Sequence, residues 1–256
     1  MILKAEDFSS AFLKSLVGDG VVMSEYRHEY KYLSSSSQLA VINNNISPLM
    51  ELDKYAVQDG MYTVRSVYFD DYYNKYFYDN MYGREPREKF RIRIYNANSD
   101  RINLEVKQKV RGKVKKLSCK LSEELCRKIL RGEILDINEV DSPVYKKFYY
   151  LYTTRLLRAK IIVEYDRIPY VYKDGNVRVT LDKNIRSSNQ CCDFLEQDIF
   201  FKPIMETNQH LLEVKFDEYL PDFIKDTVEN EKTKQTTFSK YFLCRKYGFG
   251  GGLNEL

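Results

Sequence analysis

The stretches Lys89–Tyr95 and Leu104–Lys109 alternate in residue type with a period of two. One parity carries Lys89, Arg91, Arg93, Glu105, Lys107 and Lys109, and the other carries Phe90, Ile92, Ile94, Leu104 and Val106. Such alternation marks strands whose two faces differ. The intervening Asn96-Ala97-Asn98-Ser99-Asp100 is rich in residues that bond their own backbone and tolerate left-handed dihedrals, so the two stretches read as a hairpin. One surface then presents five cations beside one carboxylate. Arginine forks and lysine point charges at this density suit phosphate oxygens. A carboxylate among them suits a divalent metal that bridges those oxygens.

The same polarity recurs elsewhere. Glu25–Tyr32 puts Arg27, Glu29 and Lys31 on one face, Val177–Asp182 puts Arg178, Thr180 and Asp182 together, and Leu211–Phe216 pairs Glu213 with Lys215. A strand with one charged face is ordinarily half of a solvated sheet. Here the predicted helices are amphipathic and need an apolar sheet face to cover. That leaves the charged faces to line the inside of a curled sheet. A lumen of this kind holds water or a highly charged anion, because burying unpaired charge is costly. ATP or a polyphosphate chain fits it better than nucleic acid. The aromatics fall on the opposite parity and form no stacking platform, and the net charge of +4 is small. No GxxxxGK[ST] occurs, so a Walker-type nucleotide site is excluded.

The elements that must position these faces follow from the same periodicities. Phe8, Phe12, Leu13 and Leu16 predict a helix over 6–17 that ends at Gly18. A serine run, 34–37, caps a helix to Ile46. Residues 61–69 read as a strand, and Asp70-Asp71 open a short helix over 72–81 that stops at Gly83. Strand 117–121 follows the basic turn at Gly112. Ser122 caps a helix to Arg131, and Ser142-Pro143 starts one through Tyr152. Residues 160–172 are strand, 173–176 a hairpin turn, and 184–202 irregular. Helices over 220–229 and 237–247 precede a Gly-rich tail, 248–256, expected to be mobile. His28 lies on the apolar parity and reads as packed, Asp70 and Asp71 as helix-capping, and Tyr145–Tyr152 as core. Lys113, Lys115 and Lys116 form either a solvated turn or an attractor for an anionic product. The sum is one α+β domain over 1–256, with about eight antiparallel strands and the helices packed outside.

Composition narrows the class further. At 256 residues, 43% hydrophobic and 30% charged, the chain is long and apolar enough for a full core. Its five cysteines show no CxxC spacing and it has two histidines, so a reducing compartment is expected and a zinc site is not. Met1–Asp7 turns acidic before any apolar run, and no stretch approaches a membrane span. The chain therefore reads as cytoplasmic, without a leader or a transmembrane segment.

Several short motifs, taken in order, carry a resemblance. They are Glu29-x-Lys31, Val64-Arg65-Ser66-Val67-Tyr68-Phe69-Asp70, Lys89-x-Arg91-x-Arg93, Leu104-Glu105-x-Lys107, Tyr165-Asp166-Arg167, Leu212-Glu213-Val214-Lys215 and Ser239-Lys240-Tyr241. Over about 24–247 the chain resembles the VTC (vacuolar transporter chaperone) domain. That domain is the polyphosphate polymerase branch of the triphosphate tunnel metalloenzymes, whose other branch is the CYTH group. The resemblance implies an eight-stranded antiparallel β-barrel, or tunnel, that binds ATP with Mn²⁺ or Mg²⁺. It implies transfer of the γ-phosphoryl group to a growing polyphosphate chain, with pyrophosphate or short polyphosphate as partners. Lys31, Arg65, Arg91, Arg93, Lys107 and Lys120 correspond to triphosphate ligands, and Arg178 and Lys240 to further basic contacts. Lys89, Lys109 and Lys215, on the same polar faces, join the substrate-binding set. Glu213 corresponds to the main metal carboxylate, with Glu29 and Glu105 as helpers. Lys31, Arg91, Arg93, Lys107 and Glu213 would carry the chemistry, which for phosphoryl transfer is alignment and charge neutralisation. Eukaryotic members add a phosphate-sensing module and membrane helices. This chain shows neither, which puts coupled export of the product in doubt; a membrane-protein partner is the expected alternative.

Two rival functions use the same surface. A hydrolase would pass the phosphoryl group to water, with a glutamate of the 29/31 motif as base. CYTH hydrolases carry a fuller Glu-x-Glu-x-Lys on this strand, whereas Arg27 stands at the first position here. A non-catalytic polyphosphate-binding module would bind without turnover.

Overall fold

The computed structural model describes residues 26–56, 59–229 and 234–247. The helix expected over 6–17 and the tail over 248–256 lie outside them. Eight long strands form the architecture: β1 (His28–Ser35), β3 (Tyr62–Asp70), β4 (Arg87–Tyr95), β5 (Asn98–Val110), β6 (Lys113–Leu121), β7 (Arg158–Tyr172), β8 (Val177–Ser188) and β10 (Gln209–Phe216). Three two-residue strands, β2 (Glu51–Leu52), β9 (Lys202–Pro203) and β11 (Lys234–Gln235), pair along their edges. The order is β11-β1-β10-β8-β7-β3-β4-β5-β6, antiparallel throughout. The fold is α+β, as expected.

The sheet curls until its ends meet. Arg27, just before β1, and Val114 on β6 exchange both backbone hydrogen bonds, at 3.0 and 3.1 Å. Residues directly opposite in an antiparallel pair share a face, so register carries one face around the barrel. Lys31 stands opposite Glu213, Glu213 opposite Thr180, and Arg167 opposite Asp182. Arg91 lies between Tyr68 and Glu105. All of these polar side chains face inward.

The outer face is apolar and covered. Helices α1 (Ser36–Ile46) and α5 (Asp222–Val228) bury Leu39, Ile42, Ile46, Ile224 and Val228 with Val179, Leu181, Leu212 and Val214 of the sheet. Ser35 caps α1 in a reciprocal box with Gln38. Helices α2 (Lys75–Met81), α3 (Glu123–Arg131) and α4 (Pro143–Thr154) cover the other flank. There Phe148 lies edge-on to Phe69 and tilted against Phe90, with Tyr145 and Tyr152 also buried. Asp70 holds the start of α2 by accepting from the amides of Tyr76 and Phe77. Among the described residues no helix is long and apolar enough to cross a membrane.

The last helix, α6 (Lys240–Tyr247), differs from the expected outer position. It sits over one end of the lumen. Tyr241 packs on the inward-facing Tyr68 with ring centres 5.2 Å apart, and its hydroxyl donates to Asp70. Residues 184–188, expected to be irregular, continue β8, and β5 begins earlier than expected, at Asn98.

Candidate functional site

The middle of the lumen is a lattice of paired charges. Glu29 on β1 accepts from Lys107 of β5 at 2.7 and 2.9 Å and lies 2.7 Å from Lys31. Glu213 on β10 lies 3.1 Å from Lys215 and 3.6 Å from Arg167. Glu105 on β5 is held by Arg91 at 2.6 Å, Lys116 at 3.1 Å and Arg93 at 3.8 Å. Asp182 on β8 accepts both prongs of Arg167, at 2.7 and 2.8 Å, and meets Lys240 at 2.6 Å. The cations outnumber these four carboxylates. A cavity of about 190 Å³ runs between Glu29, Arg91, Arg93, Lys107, Arg167 and Lys215. It reaches the surface by Lys116 and Arg178, whose side chains are 45% and 32% exposed.

The carboxylates stay charged for identifiable reasons. Burial and neighbouring Glu213 push the Glu29 carboxyl up, but Lys107, Lys31 and Lys215 outweigh them and hold it at about 2. Burial likewise opposes ionisation of Glu213 and Glu105, yet the surrounding cations keep both well below the usual carboxylate range. The cations divide. Lys31 is raised against its burial by Glu29 and Glu213. Burial pushes Lys215 down to about 7 despite the pull of Glu213 and Glu29. Burial, together with Lys107, Lys31 and Arg87, pushes Lys89 far below the usual ammonium range. Two buried polar atoms on the inner face of β8, Arg178 Nε and Thr180 Oγ1, have no hydrogen-bond partner among the described residues. Such orphans in a charged lumen mark where a ligand atom would sit.

The expected residues sort by register. Lys31, Arg91, Arg93, Lys107, Glu213, Glu29, Glu105, Lys215 and Arg178 converge on the lumen. Lys89 faces inward at the end closed by α6, donating to Asn80 at 2.6 Å and Ser239 at 3.0 Å. Lys240, at the start of α6, also points inward, over the Tyr165 ring. Lys109 shares the inner parity but reaches Glu85 at the rim, 3.1 Å away. Lys120 shares it too, and is exposed beyond the mouth opposite Asn103.

Arg65 is a correction. Its register partners are Ile94 and Glu164, so it lies on the outer face. There it pairs with Glu164 and donates to the carbonyls of Phe194 and Glu196, away from the lumen. Three inward residues lie outside the expected site set: Arg167 and Tyr68, which stand within two of the motifs without a role of their own, and Lys116, in the basic turn read as either solvated or a product attractor. Tyr68 accepts from Arg91 at 3.0 Å, and the nearby guanidinium groups lower its phenol against burial.

The donor set bears on a divalent ion. Among the described residues no three acidic, histidine or cysteine side chains cluster as a ready-made cage. Ions that keep substrate phosphates as ligands need only one or two carboxylates. Glu213 and Glu29, ionised and diagonal to one another across the β1–β10 pair, fit that pattern. Glu105 fits it poorly, because three cations already engage its oxygens.

A family model, the VTC domain, matches residues 26–249. Among solved structures the chain is similar to HpAC1 from Hippeastrum, an adenylyl cyclase candidate described as having a dominant triphosphatase activity. The identity is 14% and the TM-score 0.52, over 87% of this chain and 96% of that one. A candidate adenylate cyclase from Bacillus halodurans is 14% identical with a TM-score of 0.43, over 79% and 86%. At 14% identity the likeness to HpAC1 concerns the fold alone. No curated protein matches the chain by sequence.

Proposed function

The chain belongs to the VTC domain family, and we propose that it is a metal-dependent polyphosphate polymerase. It transfers the γ-phosphoryl group of ATP to an inorganic polyphosphate chain inside the lumen. Family membership and fold support the coarser reading, a polyphosphate-related tunnel enzyme. One observation carries the finer one. Arg91, Arg93, Lys107, Arg167 and Lys215 converge on a single cavity, with Lys31 behind it on Glu29, and among the described residues Arg178 Nε and Thr180 Oγ1 on the inner face of β8 are left unsatisfied.

The protein's part is positioning and charge neutralisation. Arg91 and Arg93, stiffened by Glu105, offer forked donors to phosphate oxygens. Lys31 and Lys107 add point charge where Glu29 holds them, and Arg167, clamped by Asp182, faces them across the lumen. Glu213, with Glu29, would hold a Mn²⁺ or Mg²⁺ ion that screens the phosphate oxygens. No side-chain nucleophile is required.

Incubation of the pure protein with ATP and Mn²⁺ or Mg²⁺, with and without a short polyphosphate primer, tests this on a polyphosphate gel. Long chains with stoichiometric ADP are expected, and their absence under every condition removes the polymerase. A second reading, hydrolysis of triphosphate with water as acceptor, is favoured by α6, which covers one end of the lumen and limits room for a chain there. Phosphate release without chain growth decides for it.

A further inference from the structure

The segment from Asp70 to Arg84 links β3 to β4 around α2, beside the capped end of the lumen. Its three carboxylates, Asp70, Asp71 and Asp79, are all buried. Its exposed side chains are Tyr72, Tyr73, Lys75, Met81, Tyr82 and Arg84. Acids turned inward beneath exposed aromatics and cations reverse the ordinary sorting of a solvated turn. Neighbouring elements extend the patch. The Tyr72 amide donates to the Arg155 carbonyl at 3.3 Å, and Arg155 and Leu156 are exposed just after α4. Arg245 of α6 donates to Asn74 at 3.0 Å, and Lys246 and Tyr247 are exposed beyond it. Lys75 and Arg84 engage the buried Asp79, whereas Arg155 and Lys246 pair with no carboxylate among the described residues.

The tip is built to project. Asp70 accepts from the amides of Asp71, Tyr76 and Phe77, and Asp71 accepts from that of Lys75. These bonds use up the carboxylates and fix the turn. Tyr72 and Tyr73 then stand at 90° to one another with ring centres 5.2 Å apart, and they are 69% and 79% exposed. Rings that project this far offer no groove for a peptide. Rings at right angles also make a poor platform for stacked bases. A flat anionic surface suits them better. Phenol rings settle where lipid headgroups meet acyl chains, with their hydroxyls in the wet layer, and lysine and arginine meet the lipid phosphates.

We propose that the capped end of the barrel docks on an anionic lipid surface, with Tyr72, Tyr73 and Tyr82 seated at the headgroup boundary and Arg155 and Lys246 supplying charge. The contact is of the interfacial kind, which lies on a bilayer. It leaves the open mouth on the aqueous side, so the lumen fills and empties away from the lipid. The proposal stands on the outer surface and holds whatever the lumen binds.

The sequence contains no tryptophan, so Tyr73→Trp and Tyr219→Trp each carry one indole reporter. The first sits at the tip. The second replaces an exposed tyrosine next to Gly175, at the open mouth. Vesicles of phosphatidylcholine with about a third phosphatidylserine are added to each, beside vesicles of phosphatidylcholine alone. On the anionic vesicles the emission of Tyr73→Trp is expected to shift to the blue and to be quenched by brominated acyl chains, while that of Tyr219→Trp stays unchanged. In vesicle flotation, Tyr72→Ser/Tyr82→Ser should weaken binding about tenfold and Lys246→Gln about fivefold, and a melting temperature equal to wild type shows that each variant is folded. No shift at position 73, an equal shift at position 219, an equal response to the neutral vesicles, or full binding by the serine variant overturns the lipid contact. A tip that responds to poly-glutamate or to a single-stranded oligonucleotide, and not to vesicles, overturns it in favour of an acidic protein or a nucleic acid.

Discussion

Glu29 holds two lysines of the lumen, and Glu29→Gln measures how firmly. The side chain is 7% exposed and engages Lys107 and Lys31 at 2.7 Å each. Its carboxyl is held at about 2, where an unconstrained glutamate titrates at 4.5. At about 1.4 kcal/mol per decade of acid strength, that difference amounts to about 3 kcal/mol. The general cost of removing one partner from a buried pair is similar, about 3–5 kcal/mol. For a domain of this size Tm should fall by about 6–12 °C at neutral pH. The sign of the pH dependence is fixed. A depressed carboxylate stabilises fully above its unfolded value and loses that stabilisation as pH falls through the folded one. Variant and wild type should therefore converge as pH drops from 4.5 toward about 2. Binding moves the other way. A polyanion entering the wild type must displace Glu29 from two ammonium groups, whereas in the variant no carboxylate at position 29 competes for them. If half of the ~3 kcal/mol is recovered, metal-free tripolyphosphate binds about tenfold tighter. Differential scanning fluorimetry and calorimetry read both quantities. A variant as stable as wild type, or one that is destabilised and also binds tripolyphosphate more weakly, refutes the reasoning.

Three further predictions concern other parts of the barrel. Lys215 is pushed down to about 7 by burial, so it is charged below neutrality. Tripolyphosphate affinity should fall as pH rises through that value, and Lys215→Arg should flatten the profile in a titration series. Arg65→Met removes a buried cation from the outer face. It should lower stability by about 3 kcal/mol in urea unfolding while leaving tripolyphosphate affinity unchanged, whereas Arg91→Met should weaken that affinity. At Gly175, φ is +71° and an added Cβ would lie 2.3 Å from the Tyr219 carbonyl oxygen. Gly175→Ala should therefore cost more than the ~1–2 kcal/mol of a left-handed alanine, because the Tyr219 backbone must also shift. An m-value-matched urea series would show a smaller loss if that segment yields easily.

The inward faces were legible because their strands keep one charged and one apolar parity. Glu29/Lys31, Arg91/Arg93, Glu105/Lys107, Arg178/Asp182 and Glu213/Lys215 all landed on one surface. The signal fails on β3. There Val64 and Ser66 face inward while Arg65 and Val67 face outward, and all are buried. A strand covered on both sides loses its alternation, so Arg65 was carried to the wrong face by its motif. Helix α6 was recognised as a helix, but periodicity says nothing about which side of a sheet it covers. Its place in the lumen follows from tertiary contacts of Tyr241 and Lys240 that are remote in sequence. The helix caps at Ser35, Ser122 and Ser142 were found because capping is local.

The meeting of Arg27 with Val114 has a mechanical meaning. Every other neighbouring pair of long strands is zipped along several residues, but among the described residues this seam is pinned by one two-bond bridge. Next to it, the circumference is tied by Glu29 reaching across to Lys107, a strut made of charge alone. Ionic struts slacken in salt and yield to competing anions, whereas ladders do not. The girth of this barrel is thus set at its weakest stave by the same kind of bond that a phosphate chain would exchange for its own.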